Sequence, residues 1–173
     1  MKSKQDYIWA LLRISLGLIF LWAFFDKLIG LGFSTCLNAE TNAVDVMCDS
    51  SWLNGGSPTT GFLKFGTQGP FAFIFQALAG NVLIDWLFML GLLGIGFSLI
   101  LGIAVRLSGV FGIILLGLMW LAGLPPEHHP FLDEHIIYSL VLLGVIYSNA
   151  GRVLGLGNWW GNLKFVKRNR WLE

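Results

Sequence analysis

The chain has 173 residues, of which 55% are hydrophobic and 12% charged, and its formal net charge is +1. Because soluble domains carry about 25% charged residues, this composition excludes an ordinary soluble enzyme and is typical of an integral membrane protein. Segments long and apolar enough to cross a hydrocarbon core of about 30 Å are residues 7–31, 82–104, 107–124 and 133–151. The sequence therefore predicts an all-α membrane protein, a four-helix transmembrane bundle formed by a single domain, residues 1–173.

The first segment could be mistaken for a signal peptide because Lys2 and Lys4 precede it. The apolar run is too long and contains Arg13, so we expect it to remain in the mature protein. Ionisable side chains within a spanning helix are costly and suggest function. Arg13 and Lys27 lie fourteen residues apart and share one helix face, whereas Asp26 points away from it. Arg13 either faces the bundle or extends to the lipid headgroups.

Residues 32–81 connect the first and second helices, and we call them the outer loop. A length of about fifty residues far exceeds the usual connection, and such loops tend to carry function. Cys36 and Cys48 lie in its polar first part, with eleven residues between them. We expect a disulfide if the loop faces an oxidising space, and two free thiols are the alternative. No C-x-x-C pair indicates a catalytic dithiol.

The second part of the outer loop is aromatic and rich in glycine. Gly69 and Pro70 form a typical helix start, and residues 71–79 are too few to span a bilayer. We therefore expect a short helix that lies at the membrane interface or covers the helix ends as a lid, under which a pocket can form.

The second and third helices form a hairpin that turns at Arg106. Small residues recur at four-residue spacing, which lets helix backbones approach closely in lipid. They are Gly94, Ser98 and Gly102 on the second helix, Ser108 and Gly112 on the third, and Gly144 and Ser148 on the fourth. The pattern predicts a tight bundle. It disfavours a solute transporter or proton channel, for which broken helices or inverted repeats are expected.

The fourth helix has the most polar face, with His135, Ser139 and Asn149 on one stripe and Tyr138 beside it. If this face points inward, Asn149 could meet Arg13 near the inner leaflet. The polar side chains at the outer helix ends would then converge on a pocket beneath the loop, lined by Asp26, Lys27, Asp85, Trp86, His135 and Tyr138.

Residues 127–135, EHHPFLDEH, hold three histidines and three carboxylates. The adjacent side chains of His128 and His129 diverge, and Pro130 separates them from His135. The spacing matches no zinc motif, so we predict no metal.

Asp133 and Glu134 suit the N-cap and first turn of the fourth helix. His135 beside Glu134 is a candidate for proton exchange or for binding a polar headgroup, since histidine titrates near neutral pH. Structural capping of a solvated loop is the alternative, and the roles of His128 and His129 stay open.

Basic residues indicate the orientation. With both termini in the cytoplasm, nine of the eleven basic residues lie inside and only Lys27 and Lys64 outside. The tail, residues 152–173, is basic and has three tryptophans, which predicts an amphipathic anchor that attracts anionic lipid at the cytoplasmic face of the cell membrane. Nucleic-acid binding is the weaker alternative because this short cluster adjoins a membrane helix, so we expect no nucleic-acid partner.

Four stretches cover much of the chain: RISLGLIFLWAFFDKL, WLNGGSPTTGFLKF, DWLFMLGLLGIGFSLILGIAVR and DEHIIYSLVLLGVIYSNAGRVLGLGNWW. Together they resemble the DoxX-like membrane protein family, and most closely the DoxD-type subunits of archaeal thiosulfate:quinone oxidoreductase. The resemblance implies a four-helix membrane bundle linked to quinone and sulfur metabolism. It supplies no catalytic signature that could be mapped onto this chain.

The first functional hypothesis is a quinone-interacting subunit of an oxidoreductase, such as thiosulfate:quinone oxidoreductase. Its candidate catalytic residues are His135, Glu134 and Asp26, and its candidate quinone contacts are Lys27, Asp85, Trp86, Tyr138 and Arg13. The chain has no C-x-x-C-H haem motif, no dinucleotide-binding glycine motif that would indicate flavin, and no iron–sulfur cysteine set. The redox cofactor is therefore a diffusible quinone or belongs to a partner, and whether this chain alone is an enzyme stays open.

The alternative hypothesis is a non-catalytic membrane anchor or assembly subunit, which holds a second subunit at the outer face through the outer loop. The lipid bilayer is a partner in both hypotheses, and a homo-oligomer is compatible with both.

Overall fold

The computed structural model describes residues 3–38 and 40–172, so Lys2, Ala39 and Glu173 of the predicted segments lie outside the described residues. The helices are, in chain order, α1 (Lys4–Ile29), α2 (Ala72–Ala77), α3 (Val82–Leu101), α4 (Val105–Ala122), α5 (Glu134–Tyr147), α6 (Gly157–Asn162) and α7 (Lys164–Arg168). The only β pairing in this part of the chain is an isolated bridge between Leu37 and Val44. The predicted all-α class is confirmed for the described residues.

Three helices, α1, α3 and α4, are long and apolar enough to cross a membrane. The apolar helix α5 has 14 residues, which cover only about 21 Å at a rise of about 1.5 Å per residue. The sequence predicts a helix up to residue 151, but α5 ends at Tyr147 because Asn149 adopts a left-handed backbone and begins a 3₁₀ turn, Ala150–Arg152. The structure thus shows three helices of spanning length and a shorter fourth.

The distribution of apolar side chains is that of a membrane protein. Helix α1 packs along α3, and α4 packs along α5, around core residues such as Phe20, Leu92 and Leu142. Only 33% of the apolar stretch of each spanning helix is buried inside the protein. The outward faces present large apolar residues, which include Leu18, Leu90, Phe97, Phe111 and Leu140. Such extensive apolar exposure is unfavourable in water and is typical of helices that lie in a lipid bilayer.

Glycines lie where α1 and α3 pack against each other. A Cβ atom on Gly17 would lie 2.8 Å from Ile100, and one on Gly96 would lie 2.7 Å from Leu21. The sequence predicts Gly94 on the packing stripe, but no atom lies within 4 Å of its hypothetical Cβ. Gly96 follows two residues later, about 200° around the helix, and this face meets α1.

The packing glycines of the two later helices match expectation. A Cβ atom on Gly112 of α4 would lie 2.8 Å from Leu142, and one on Gly144 of α5 would overlap the ring of Trp9. The predicted tight bundle is therefore present at these positions.

We call the end of the bundle that carries the outer loop the loop end, and the end that carries the α3–α4 turn and residues 152–172 the tail end. Within the loop, the predicted short helix is α2, which begins at Ala72, two residues after Pro70. A 3₁₀ turn (Trp52–Asn54) and a π-helical turn (Phe62–Gly66) precede it. Much of the loop is therefore folded against the helix ends.

Candidate functional site

The buried acid of α1, Asp26, is bound by the start of the outer loop. Its side chain lies in the last turn of α1 and is 1% exposed. The carboxylate accepts hydrogen bonds from the backbone N–H groups of Phe33 (2.9 Å) and Ser34 (3.0 Å) and from the Ser34 hydroxyl (2.8 Å). Lys27 donates to the same hydroxyl oxygen at 3.0 Å. Local partners thus satisfy the carboxylate that the sequence assigns to catalysis, as burial of a polar group requires.

The acid of α3, Asp85, binds the second half of the loop. It is 6% exposed and accepts hydrogen bonds from the hydroxyls of Ser57 (2.9 Å) and Thr59 (2.5 Å). The neighbouring Trp86 packs edge to face on Trp52, with ring centroids 4.7 Å apart. These contacts fasten the loop to the first turn of α3.

The outer loop is closed by a disulfide. Cys36 and Cys48 are joined by a disulfide bond in the structure. Beside the bridge, the N–H of Met47 donates to the carbonyl of Ile29 at 2.8 Å. The polar half of the loop is therefore fixed to the end of α1.

At the start of α5, His135 forms a half-buried pair with a carboxylate. Its Nδ1 lies 2.8 Å from Oδ2 of Asp133, and the two side chains are 19% and 17% exposed. Oδ1 of Asp133 caps the helix by accepting the N–H of Ile136 at 3.2 Å, which confirms the predicted N-cap. The partner expected for His135 was Glu134, but the hydrogen-bonded partner is Asp133, and Glu134 is exposed.

These side chains are also the one group of described residues that could share a metal ion. Ligand atoms of Asp133, Glu134 and His135 lie within 4.8 Å of one another. However, both oxygens of Asp133 already hold a proton donor, the N–H of Ile136 or the ring of His135. Each oxygen of Asp133 therefore already has a hydrogen-bonding partner in this structure.

The remaining histidines of the EHHPFLDEH stretch lie in the loop before α5. Nδ1 of His129 accepts the N–H groups of Phe131 (3.1 Å) and Leu132 (3.0 Å), so this ring stabilises a turn. His128 is almost fully exposed and lies 4.0 Å from Glu127. Trp120 of α4 donates to the carbonyl of Phe131 at 3.0 Å and holds the turn in place. The sequence left the roles of these two histidines open. In the structure His129 stabilises a turn, and His128 lies on the exposed surface.

The polar side chains predicted to converge at the outer helix ends each make hydrogen bonds to residues close to them in the fold. Among the described residues, three separate groups form: Asp26 and Lys27 with Ser34, Asp85 with Ser57 and Thr59, and His135 with Asp133. No ion pair or hydrogen bond joins one group to another within residues 3–38 and 40–172. Tyr138 is half-buried against the core. Hydroxyl groups of the outer loop supply partners for Asp26, Lys27 and Asp85 that the charge pattern did not reveal.

The last predicted site residue, Arg13, lies at the tail end. It is 0% exposed and about 20 Å from Asp26 along α1. Its guanidinium donates to the carbonyls of Leu99 and Ile100 at the end of α3, the latter at 3.1 Å. It also donates to the carbonyls of Val153 (3.2 Å) and Leu154 (2.9 Å).

Arg13 is therefore a cap for another helix. The last carbonyls of a helix have no partner within the helix, and they attract positive charge. Asn149, which the sequence places near Arg13, is exposed and makes no hydrogen bond to it. The side chain neither reaches the headgroups nor contributes to a quinone pocket at the loop end.

Comparisons of this chain with protein-family models, curated proteins and solved structures find no match.

Proposed function

We propose that this chain is the integral membrane subunit of a quinone-linked oxidoreductase in the cell membrane. Its three spanning helices support a membrane location, and the DoxX-like stretches support quinone-linked chemistry, with thiosulfate as the expected electron donor. Basic residues concentrate at the tail end, which supports a cytoplasmic tail and cytoplasmic termini under the positive-inside rule. The loop end then faces outward, where an oxidising space suits the disulfide.

The observation that carries the proposal is the pair formed by His135 and Asp133. Reduction of a quinone takes up two protons along with two electrons, so the site needs a group that holds and transfers a proton. Histidine is a common general acid and base, and a carboxylate on Nδ1 orients the ring. When the ring is protonated, Nε2–H can donate to a quinone carbonyl. The pair is half-buried at the first turn of a membrane helix, where a lipid-soluble quinone can reach it.

The electrons in this proposal come from a partner. The sequence lacks motifs for haem, flavin or iron–sulfur clusters, so the chain supplies the proton and the quinone contact while a second subunit oxidises the donor. Asp26, Lys27 and Asp85 have structural roles here, because their hydrogen bonds hold the outer loop on the helix ends.

The experiment compares two histidine variants of the purified complex in vesicles. His135→Ala should lower the rate of quinone reduction by about 100-fold, the lower range for loss of a general acid, and should reduce the quinone that co-purifies. His128→Ala is the matched control, since His128 is exposed in the loop that precedes α5, and it should leave both quantities unchanged. Equal rates for the two variants, with both folded, would refute the role of His135.

A second candidate function is that of a non-catalytic assembly subunit. The observation that favours it is the folded outer loop, which is bound at Asp26 and Asp85 and still presents large apolar side chains. Phe65 is 77% exposed and Phe73 71% exposed. Apolar groups held on an ordered surface are typical of protein interfaces.

Variants of the same purified complex distinguish the two candidate functions. If assembly is the only function, Phe65→Ser with Phe73→Ser should release a stoichiometric second subunit, while His135→Ala leaves assembly and turnover intact. If the quinone proposal holds, His135→Ala lowers turnover in a complex that remains assembled.

A further inference from the structure

The four long helices of the bundle differ in length. Helix α1 has 26 residues and α3 has 20, which extend over about 39 Å and about 30 Å at a rise of about 1.5 Å per residue. Helix α4 has 18 residues and α5 has 14, which extend over only about 27 Å and about 21 Å. The hydrocarbon core of a typical bilayer is about 30 Å thick. The side of the bundle on which α4 packs against α5 is therefore shorter than a typical membrane.

The two short helices lie side by side at the same height. A Cβ atom on Gly109 of α4 would lie 2.7 Å from Ile146 of α5, near the tail end. At the loop end, the indole N–H of Trp120 donates to the carbonyl of Phe131 at 3.0 Å, just before α5 begins. Helix α4 thus adds little height beyond the ends of α5, and both helices face the same thin layer.

Polar groups limit the apolar part of α5 at both ends. The exposed Glu134 and the pair of His135 with Asp133 lie at its start. From His135 to Tyr147 the helix rises only about 18 Å. Beyond Tyr147, the exposed Asn149 adopts a left-handed backbone and ends the helical course. The apolar span of α5 is therefore shorter than the helix itself.

The surface between these ends is apolar and open. Ile137 is 50% exposed, Leu140 57% and Leu143 39%. Side chains three residues apart lie on one side of a helix, so these three form one outward face. Lipid chains that cover this face meet polar groups above and below it.

A bilayer adjusts to a short apolar helix by becoming thinner locally, by the reach of flanking side chains to the interface, or by association of chains. The side chains that reach to the interface are long cations, lysine and arginine. The loop end of α5 instead has Asp133, which binds His135 at 2.8 Å and caps the N–H of Ile136 at 3.2 Å. These short side chains are fixed at the helix end, and burial of an ionisable group in hydrocarbon is costly. Local thinning avoids that cost.

We propose that the bilayer is locally thinned along α4 and α5, and that this side of the bundle binds phospholipids with short acyl chains in preference to long ones. The thinner layer brings headgroups and water to the start of α5, where His135 and Asp133 lie. The proposal depends on the membrane location of the chain and is independent of its role toward quinone.

The test places the full chain in bilayers of phosphatidylcholines whose monounsaturated chains increase in length: dimyristoleoyl, dipalmitoleoyl, dioleoyl, dieicosenoyl and dierucoyl. The midpoint of thermal unfolding is measured in each. It should be highest in dimyristoleoyl or dipalmitoleoyl phosphatidylcholine and about 5 °C or more lower in the dierucoyl lipid. A highest midpoint in the dioleoyl lipid or in a longer one would overturn the proposal.

Two substitutions of Asn149 form a matched pair. Leucine disfavours the left-handed backbone, so Asn149→Leu should let α5 continue into the next turn and shift the highest midpoint to a longer lipid. Glycine accepts that backbone, so Asn149→Gly should leave the profile unchanged. Identical profiles for the two folded variants would contradict the role of helix length. If Asn149→Leu does not fold, the profile of the parent chain decides the proposal.

A second arm distinguishes lipid from a second copy of the chain as the cover of α5. The chain is extracted with a polymer from vesicles of equal parts dimyristoleoyl and dieicosenoyl phosphatidylcholine, and the retained lipids and chains are counted by mass spectrometry. Single chains with the shorter lipid enriched at least about twofold over the vesicles are expected. Dimers without enrichment of the shorter lipid would show that a second copy covers α5 and would overturn the proposal.

Discussion

The cap that Arg13 provides for α3 should account for a large part of the stability of the tail end. We consider Arg13→Met, which keeps the length and apolar stem of the side chain and removes its donors. The guanidinium donates to four carbonyl groups, those of Leu99, Ile100, Val153 and Leu154. Two of them belong to the last turn of α3, where the helix itself supplies no donor. The variant leaves these carbonyls without that donor.

The expected loss in the free energy of unfolding follows from the number of hydrogen bonds that the variant removes. Hydrogen bonds in membrane proteins contribute about 0.6–1.7 kcal/mol each, so four bonds sum to about 2–7 kcal/mol. Removing a buried charge also removes its desolvation cost, which offsets part of this loss. We expect Arg13→Met to lower the free energy of unfolding by about 2–4 kcal/mol. The free energy of unfolding of Arg13→Lys should lie between those of the parent chain and Arg13→Met. The single nitrogen of lysine cannot reach both carbonyl pairs, as the fork of arginine does.

The assay is reversible unfolding in mixed micelles by added sodium dodecyl sulfate, followed by fluorescence of the eight tryptophans. Arg106→Met is the control, since Arg106 is exposed near the same α3–α4 turn, and its effect should stay within about 0.5 kcal/mol. If Arg13→Met is no less stable than Arg106→Met, the assignment of Arg13 as a structural cap is refuted.

Three further predictions concern packing and the outer loop. Gly96→Leu should destabilise the bundle by about 2 kcal/mol or more through overpacking against Leu21, whereas Gly94→Leu should be tolerated; equal effects in the same unfolding assay would contradict the packing face. Asp85→Ala should lower the free energy of unfolding by about 1–3 kcal/mol and make the outer loop sensitive to protease, because two hydroxyl groups lose their acceptor. Asp85→Asn should preserve more of the protection from protease. Unchanged cleavage in Asp85→Ala would show that the loop is held elsewhere. Replacing both cysteines by serine should cost about 2–4 kcal/mol, as is usual for a disulfide, and a parent chain that is insensitive to reductant in thermal unfolding would contradict this.

The helices could be predicted from the sequence because apolar length is a local property. The bounds of α1, α3 and α4 differ from expectation by at most three residues at either end. The end of α5 was missed because apolar composition continues beyond it, while the backbone already turns at Asn149. Hydropathy does not report such a turn.

The partners of the ionisable residues were harder to predict. The charge pattern indicated that buried ions need partners, but it did not indicate which neutral groups would supply them. Asp26 and Asp85 are satisfied by hydroxyl and backbone groups of the loop, and Arg13 by carbonyls at the end of α3. Neutral partners are common in sequence, so their selection depends on how the loop and the helix ends fold. The clustered hydroxyls of SPTTG were the one local signal available for Asp85.

In the proposed function, quinone binds beside His135 at the first turn of α5. The most direct measurement is photolabelling of the full chain in vesicles with an azido-quinone, followed by mapping of the labelled peptide. The account predicts saturable labelling within residues 131–138, competed by unlabelled quinone and reduced in His135→Ala. Labelling spread along the lipid-facing surfaces of α1, α3 and α4, with no competition by unlabelled quinone, would contradict it.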